Sequence, residues 1–270
     1  MTADAAAPYT RLILTENKGL RLLTLLLFYF TQGFPVGLFF YAIPTWMAAN
    51  GAGTPEIASV VAIAALPWSL KIANGFLIDR YTFLPMGRRR VWIIGAQACI
   101  VLALLAGAII YPSASDAMVL SALGFAANAA VTFQDVGIDS LAVDIMPEEE
   151  RAHAGGGMGG AHLIGIAATT AAGGWLLDNY GIGVCLVIGA IIPGLIMLYG
   201  VAIRERPGER HLPWTSGKSH PRNVSIQVEA WWPLLKNSFR AVIMPLSLLL
   251  IPLILVRAVP WGGFEAFHPV

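Results

Sequence analysis

The chain has 270 residues, 57% of them hydrophobic and 12% charged, with a formal net charge of +1 and a mean hydropathy of +0.68. Soluble domains average about 25% charged residues, and a water-facing fold of this composition would expose large apolar patches and aggregate. The near-neutral balance also speaks against nucleic acid as a partner, because no domain is strongly basic overall.

In chain order, apolar segments fall near 22–48, 56–78, 91–111, 117–143, 154–177, 182–203 and 241–259. Each is close to the ~20 residues with which a helix crosses a ~30 Å hydrocarbon layer, and none alternates with the period of a barrel strand. Arg11, Lys18 and Arg21 lead into the first run. That run is too long for the apolar core of a signal peptide, so it reads as an uncleaved span. Pro35, Pro44, Pro67, Pro193, Pro245 and Pro252 lie within or near spans. Kinks are tolerated there when neighbouring helices satisfy the freed carbonyls.

Basic residues set the orientation. All 17 Lys and Arg other than Lys71 and Arg257 lie in alternate connections: the N-terminus, 78–90, 144–153 and 204–240. This pattern predicts a multi-pass protein of the inner (plasma) membrane with its N-terminus in the cytoplasm. The expected organisation is a cytoplasmic N-terminus (1–21), a six-helix bundle (22–203), a cytoplasmic linker (204–240) and a seventh helix (241–270). The linker tail "IQVEAWWPLLKNSF" reads as a short interfacial helix with Trp231 and Trp232 at headgroup level. Lys236 and Arg240 precede the seventh run much as Lys18 and Arg21 precede the first. A second repeat is therefore expected to begin here, in a chain truncated before its C-terminal half.

The stretch "LPWSLKIANGFLIDRY" places Lys71 eight residues before Asp79, about 12 Å along a helix and so near the midplane. Insertion scales put the cost of such a lysine at about 2.5–3.5 kcal/mol, so it either faces the bundle interior or snorkels to the headgroups. Asn74 shares its face and is a candidate hydrogen-bond partner. Gly75 permits close helix approach. Asp79, at a helix C-terminus, needs a cation: Arg80, one of Arg88, Arg89 and Arg90, or another helix's N-terminus. Asp135 and Asp139, four residues apart, share one helix face, where low dielectric and a like charge raise a carboxyl pKa. They suit gating or proton coupling, and equally a salt-bridge cluster that ties loops together. Asp144, Glu148, Glu149, Glu150 and Arg151 read as a solvated loop.

These residues carry a resemblance. Gly75-x-Leu77-x-Asp79-Arg80 followed by Gly87-Arg88-Arg89-Arg90 resembles the loop between the second and third helices of the major facilitator superfamily, with "YTFLPM" lengthening the usual spacing. That longer loop, "SLK" upstream and "TFQDVGIDSLAVDIMPEEERAHAGG", with Gln134-Asp135 before Asp139, are similar to the AmpG-type muropeptide permeases and the related acetyl-coenzyme A transporters. The resemblance covers residues 20 to about 200. It implies an all-α N-terminal half of an alternating-access carrier, with its solute near the midplane between halves. It also implies proton-coupled uptake of a small solute such as an anhydro-muropeptide, whose carboxylates Lys71 could meet.

Other signals are weaker. Gly155, Gly157 and Gly160 of "GGGMGG" satisfy a dinucleotide fingerprint, but no strand precedes them. Gly155/Gly159 and Gly156/Gly160 read instead as a flat face for close helix packing. His162 could relay protons or bond a neighbouring backbone. Gln32, Tyr29 and Tyr41 are candidates to line a cavity. Cys99 and Cys185 lack any metal or disulfide spacing, and neither metal nor cofactor is expected. Asn223-Val224-Ser225 matches a glycosylation acceptor but falls on the cytoplasmic side. Two other classes stay open: a membrane-embedded enzyme on a lipid or cell-wall precursor, with Asp135, Asp139 and His162 as its site, and a non-transporting half-protein or assembly module. Transport itself would need the missing C-terminal half in cis, or an unknown partner in trans.

Overall fold

The computed structural model describes residues 12–225, 231–252 and 256. The chain divides into two units, Met1–Val224 and Ser225–Val270. In the first, helix α1 (Lys18–Ala49) is followed by α2 (Thr54–Ser69), α3 (Lys71–Arg80), α4 (Arg90–Ile110), α5 (Ala117–Ile145) and α6 (Glu148–Ala202). The second contains α7 (Trp231–Val242) and α8 (Pro245–Pro252), bent by 61° from one another. Among the described residues there is no strand, only an isolated bridge between Ile13 and Arg204. The expected all-α membrane architecture is what forms.

Helix α1 starts where the Asn17 side chain accepts the Leu20 N–H (3.0 Å), filling one of the donors a helix start leaves open. Pro35 lies inside it, and the chain widens to a π-helical stretch over Leu38–Ala42. Missing proline N–H groups and π-bulges are both common causes of an irregular span.

The second expected span is broken. α2 and α3 meet at Leu70 with a bend of 43°. The break lies just after Pro67, where the turn tightens: the Leu70 N–H bonds the Pro67 carbonyl (3.1 Å) and the Ala73 N–H that of Leu70 (2.9 Å), each three residues back. Lys71 is consequently the first residue of α3 rather than the middle of a continuous helix.

Helix α6 has 55 residues, about 80 Å if straight, more than twice the hydrocarbon thickness. It turns at Gly181, whose φ of 79° favours glycine. The Cys185 thiol lies 3.6 Å from the Gly173 carbonyl, although twelve residues of straight helix would separate them by about 18 Å. The chain therefore doubles back, and the fifth and sixth expected spans are its two limbs.

The core is apolar, with one polar ladder crossing it. Gln134 donates to the Phe28 carbonyl (3.0 Å) and to Thr31 Oγ1 (3.3 Å). Thr31 in turn donates to Gln97 Oε1 (3.4 Å), and Gln97 donates to the Pro193 carbonyl (3.0 Å). All three side chains are fully buried. This chain of hydrogen-bonded side chains in low dielectric fixes how α1, α4, α5 and α6 register against one another, although Gln134 Oε1 is left without a partner.

Glycine decides one crossing. A Cβ on Gly165 of α6 would collide with the Phe30 carbonyl of α1, and one on Gly37 would lie 2.7 Å from the Ile166 carbonyl. Small residues let two backbones approach where lipid offers no hydrophobic drive. The stretch singled out in the sequence is not the one used: a Cβ on Gly155, Gly156, Gly159 or Gly160 would meet nothing within 4 Å.

Candidate functional site: an ionisable cluster at a broken helix

Polar pairs tie the broken α2–α3 arm to α5 on either side of the bend. Trp68 Nε1 donates to Asn128 Oδ1 (3.1 Å), and Asn74 Nδ2 donates to Thr132 Oγ1 (2.8 Å). Between them the Lys71 ammonium is ion-paired with the Asp135 carboxylate. Asn74 is thus not the partner of Lys71. Being 7% exposed, it needs an acceptor for its own amide and finds one on α5. Lys71 also stands 5.9 Å from the centre of the Trp68 ring.

One turn along α5, Asp139 accepts a hydrogen bond from the Tyr29 hydroxyl of α1. Tyr29 in turn meets His162 of α6 edge-on, with ring centroids 6.3 Å apart. Lys71, Asp135, Asp139, Tyr29 and His162 therefore form one contiguous cluster from four helices. His162 Nε2 is buried without a hydrogen-bond partner, and so are both amide atoms of Gln32. Buried polar groups in this state ordinarily meet water or a ligand. Gln134 gives its amide nitrogen to the core ladder, while its Oε1, like His162 Nε2, is buried without a partner. Tyr29 had weak sequence support, since one tyrosine in an apolar run does not reveal which carboxylate it faces.

A second cluster occupies the loop end of the bundle. Arg89 joins Asp79 of α3 (2.6 Å) to Asp144 near the end of α5 (3.5 Å). Of the partners open to Asp79, Arg89 is the one it takes. Arg80 is exposed. Gly75 owes little to close approach, as a Cβ there would make an ordinary 3.9 Å contact with Val136. The acidic loop is less solvated than expected: Glu150 pairs with Arg21 (3.1 Å) and Lys18 (3.7 Å), while Asp144 takes Arg89.

Glu205, which the sequence reading did not single out, is the centre of this region. Its fully buried carboxylate accepts the backbone N–H groups of Arg88 (2.8 Å), Arg89 (2.7 Å) and Arg90 (2.8 Å). A carboxylate at the start of α4 neutralises the positive end of the helix dipole as well as its open donors. The Arg90 guanidinium spreads over the carbonyls of Met86, Gly200, Val201, Arg210 and His211. Gly87 has a φ of 100°, and a Cβ there would lie 2.5 Å from the Glu205 carboxyl carbon. The sequence signal was an acid between arginines directly after a span, in "RERPGER".

The segment after Glu205 is folded rather than a loose linker. Glu209 accepts from the Arg206 N–H (3.0 Å) and from Asn223 Nδ2 (2.7 Å), and Arg206 donates to Asn223 Oδ1 (2.6 Å). Asn223 is 1% exposed and so is closed to glycosylation in this fold. Burial and the charge of Glu205 push Glu209 up from its ordinary 4.5 to about 7. The folded state then holds a proton that the unfolded state has lost between those values. The stability Glu209 contributes is present in full below about pH 4.5 and falls as pH rises to about 7. Thermal unfolding in detergent at pH 5 and pH 7.5 should show this loss, and the profile should flatten in Glu209→Gln.

Four helices among the described residues are long and apolar enough to cross a membrane, or up to six when each bent pair counts as one span. Together with the ionisable cluster at a broken helix, they define a polytopic membrane protein with a polar interior. A profile of the Major Facilitator Superfamily matches residues 25–269, and the chain belongs to that transporter family. It is similar to an anhydromuropeptide permease of Escherichia coli K12, at 26% identity over 161 residues, 58% of this chain and 31% of that protein. An uncharacterized protein of Haemophilus influenzae is 26% identical over 193 residues, 69% of this chain and 37% of its own length. An uncharacterized protein of Schizosaccharomyces pombe is 32% identical over 81 residues, 30% of this chain and 15% of its own. The chain thus spans about a third of the length of the first two relatives.

Proposed function

We propose that this chain supplies the N-terminal helical body of a proton-coupled secondary transporter in the inner membrane, and that the imported solute is a small anionic molecule such as an anhydro-muropeptide. The observation that carries the reading is the Lys71–Asp135 pair at the bend between α2 and α3. A charged pair in a membrane interior is costly to keep and commonly marks an ion or solute pathway. Lys71 keeps 35% of its side chain exposed, so an incoming carboxylate can compete with Asp135 for it. Release of Asp135, with Asp139 one turn away, provides a carboxyl to take up a proton as the solute binds. The similarity to a permease named for anhydromuropeptide supports the choice of solute. A second helical half, in the same polypeptide or a separate one, completes the pathway in this proposal.

The test is uptake of labelled anhydro-muropeptide by membrane vesicles carrying the gene product. Accumulation driven by an imposed pH gradient and collapsed by a protonophore is expected. Accumulation indifferent to the protonophore removes the coupling, and no accumulation above empty vesicles removes the solute.

A further inference from the structure

The turn over 210–218 is pinned to the end of the bundle and presents an indole to the outside. Its start is fixed by Arg90 of α4, which donates to the carbonyls of Arg210 (2.9 Å) and His211 (3.2 Å). The Arg210 N–H donates to the Pro85 carbonyl (2.7 Å), and His211 Nδ1 lies 3.0 Å from the Val201 carbonyl in the last turn of α6. Within the turn, Thr215 Oγ1 accepts the N–H groups of His211 and Leu212 (3.1 Å each). The Arg210 guanidinium donates to the carbonyls of Pro213 (2.7 Å) and Gly217 (3.1 Å), and the Lys218 N–H closes on the Gly208 carbonyl (2.9 Å). At the tip, Trp214 is 79% exposed, and its ring and indole N–H have no partner among the described residues. We propose that this turn is an interfacial anchor, with Trp214 seated at the headgroup–acyl boundary of the cytoplasmic leaflet and the Lys218 ammonium on an anionic phospholipid headgroup.

Position, chemistry and charge select a lipid surface. The second limb of α6, from the turn at Gly181 to Ala202, is about 30 Å long, the thickness of the hydrocarbon layer. Along it Val184, Ile188, Ile191, Leu195 and Leu198 are exposed, and their spacing of three and four puts them on one helix face. At the far end of this limb, Trp175 and Tyr180 are exposed and meet edge-on with centroids 5.4 Å apart. Trp214 hangs from Val201 at the near end. Aromatic side chains therefore flank an apolar face one bilayer tall, as interfacial belts do. An indole at such a boundary buries its ring in hydrocarbon while its N–H finds an acceptor in the headgroups, and water supplies only the second. Arg206 and Arg210 are engaged by protein groups. The Lys218 ammonium is exposed and has no partner among the described residues, so it is open to an anion. The inference needs this face of α6 to meet lipid but not the transport reading. Failed uptake would leave it intact.

The experiment makes the full chain with 5-fluorotryptophan, places it in nanodiscs of phosphatidylcholine and phosphatidylglycerol, and reads it by fluorine NMR. The chain has eight tryptophans, and the resonance lost in Trp214→Phe is that of Trp214. Trp214→Tyr provides the same assignment should the first variant fail to reconstitute. A nitroxide near the top of a lipid acyl chain should broaden this resonance more than a water-soluble gadolinium chelate does. Equal or greater broadening by gadolinium would put the indole in water and overturn the anchor. Protection from both agents would mean that protein covers Trp214, and overturns it as well. At a nitroxide loading low enough to leave the resonance visible, labelled phosphatidylglycerol should broaden it more than phosphatidylcholine labelled at the same carbon. That difference should vanish in Lys218→Gln. No difference between the two lipids in the unmodified chain, or one that survives Lys218→Gln, overturns the role of Lys218.

Discussion

Replacing Glu205 with alanine should lower the stability of the purified protein by about 3–5 kcal/mol, the cost typical of breaking a buried, hydrogen-bonded charge interaction. Three backbone donors at the start of α4 lose their acceptor at once, and each buried donor left unsatisfied costs about 1–3 kcal/mol before water repairs any of it. For a chain of this size the change corresponds to a midpoint lower by about 10 °C in a thermal melt in detergent. Glu205→Gln retains one acceptor oxygen and should fall between alanine and wild type. Gly87→Ala should act in the same direction, because its Cβ would displace the carboxylate and strain a positive φ. A shift below about 1 kcal/mol in Glu205→Ala would mean that solvent reaches these donors and that the contact is incidental.

The Lys71–Asp135 pair should produce the largest functional effect. Lys71→Ala leaves the buried Asp135 charge unpaired, a loss of about 3–5 kcal/mol in stability, while Asp135→Ala leaves the part-exposed Lys71 and costs less; each should reduce uptake to background. Removing both charges together distinguishes stability from mechanism. Lys71→Met with Asp135→Leu replaces the pair by apolar groups, which is often neutral for folding. The double variant should therefore regain wild-type abundance in the membrane while transport stays below about a tenth of normal, at least 1.4 kcal/mol of lost function. Recovery of transport along with abundance would reduce the pair to a structural clasp between α3 and α5.

Much of the fold was legible because crossing a bilayer is a one-dimensional problem. About twenty apolar residues either exceed the cost of insertion or do not, and their sum is read directly from the chain. The motif around Asp79 and Arg88–Arg90 was legible in the same way, as residue types at fixed spacing. Less was legible at the cluster. Lys71, Asp135, Asp139 and His162 stood out as ionisable groups in apolar runs, while their partners did not. Tyr29 was one aromatic residue among many. Gln134 has the appearance of a site residue, and its amide nitrogen is engaged by the core ladder.

The sequence by itself determined that this is a helical membrane protein, which segments are apolar enough to span, and which residues would be costly to hold there. Those properties follow from local composition and from the solvent that surrounds it. Only the tertiary structure decided that Asn74 meets Thr132 and not Lys71, that Arg89 and not Arg80 takes Asp79, and that a glutamate over a hundred residues away caps α4. Such choices depend on the rotation, tilt and depth of each helix against its neighbours. They are set by packing across the whole bundle, where a glycine crossing or a break in a helix changes which side chains face one another.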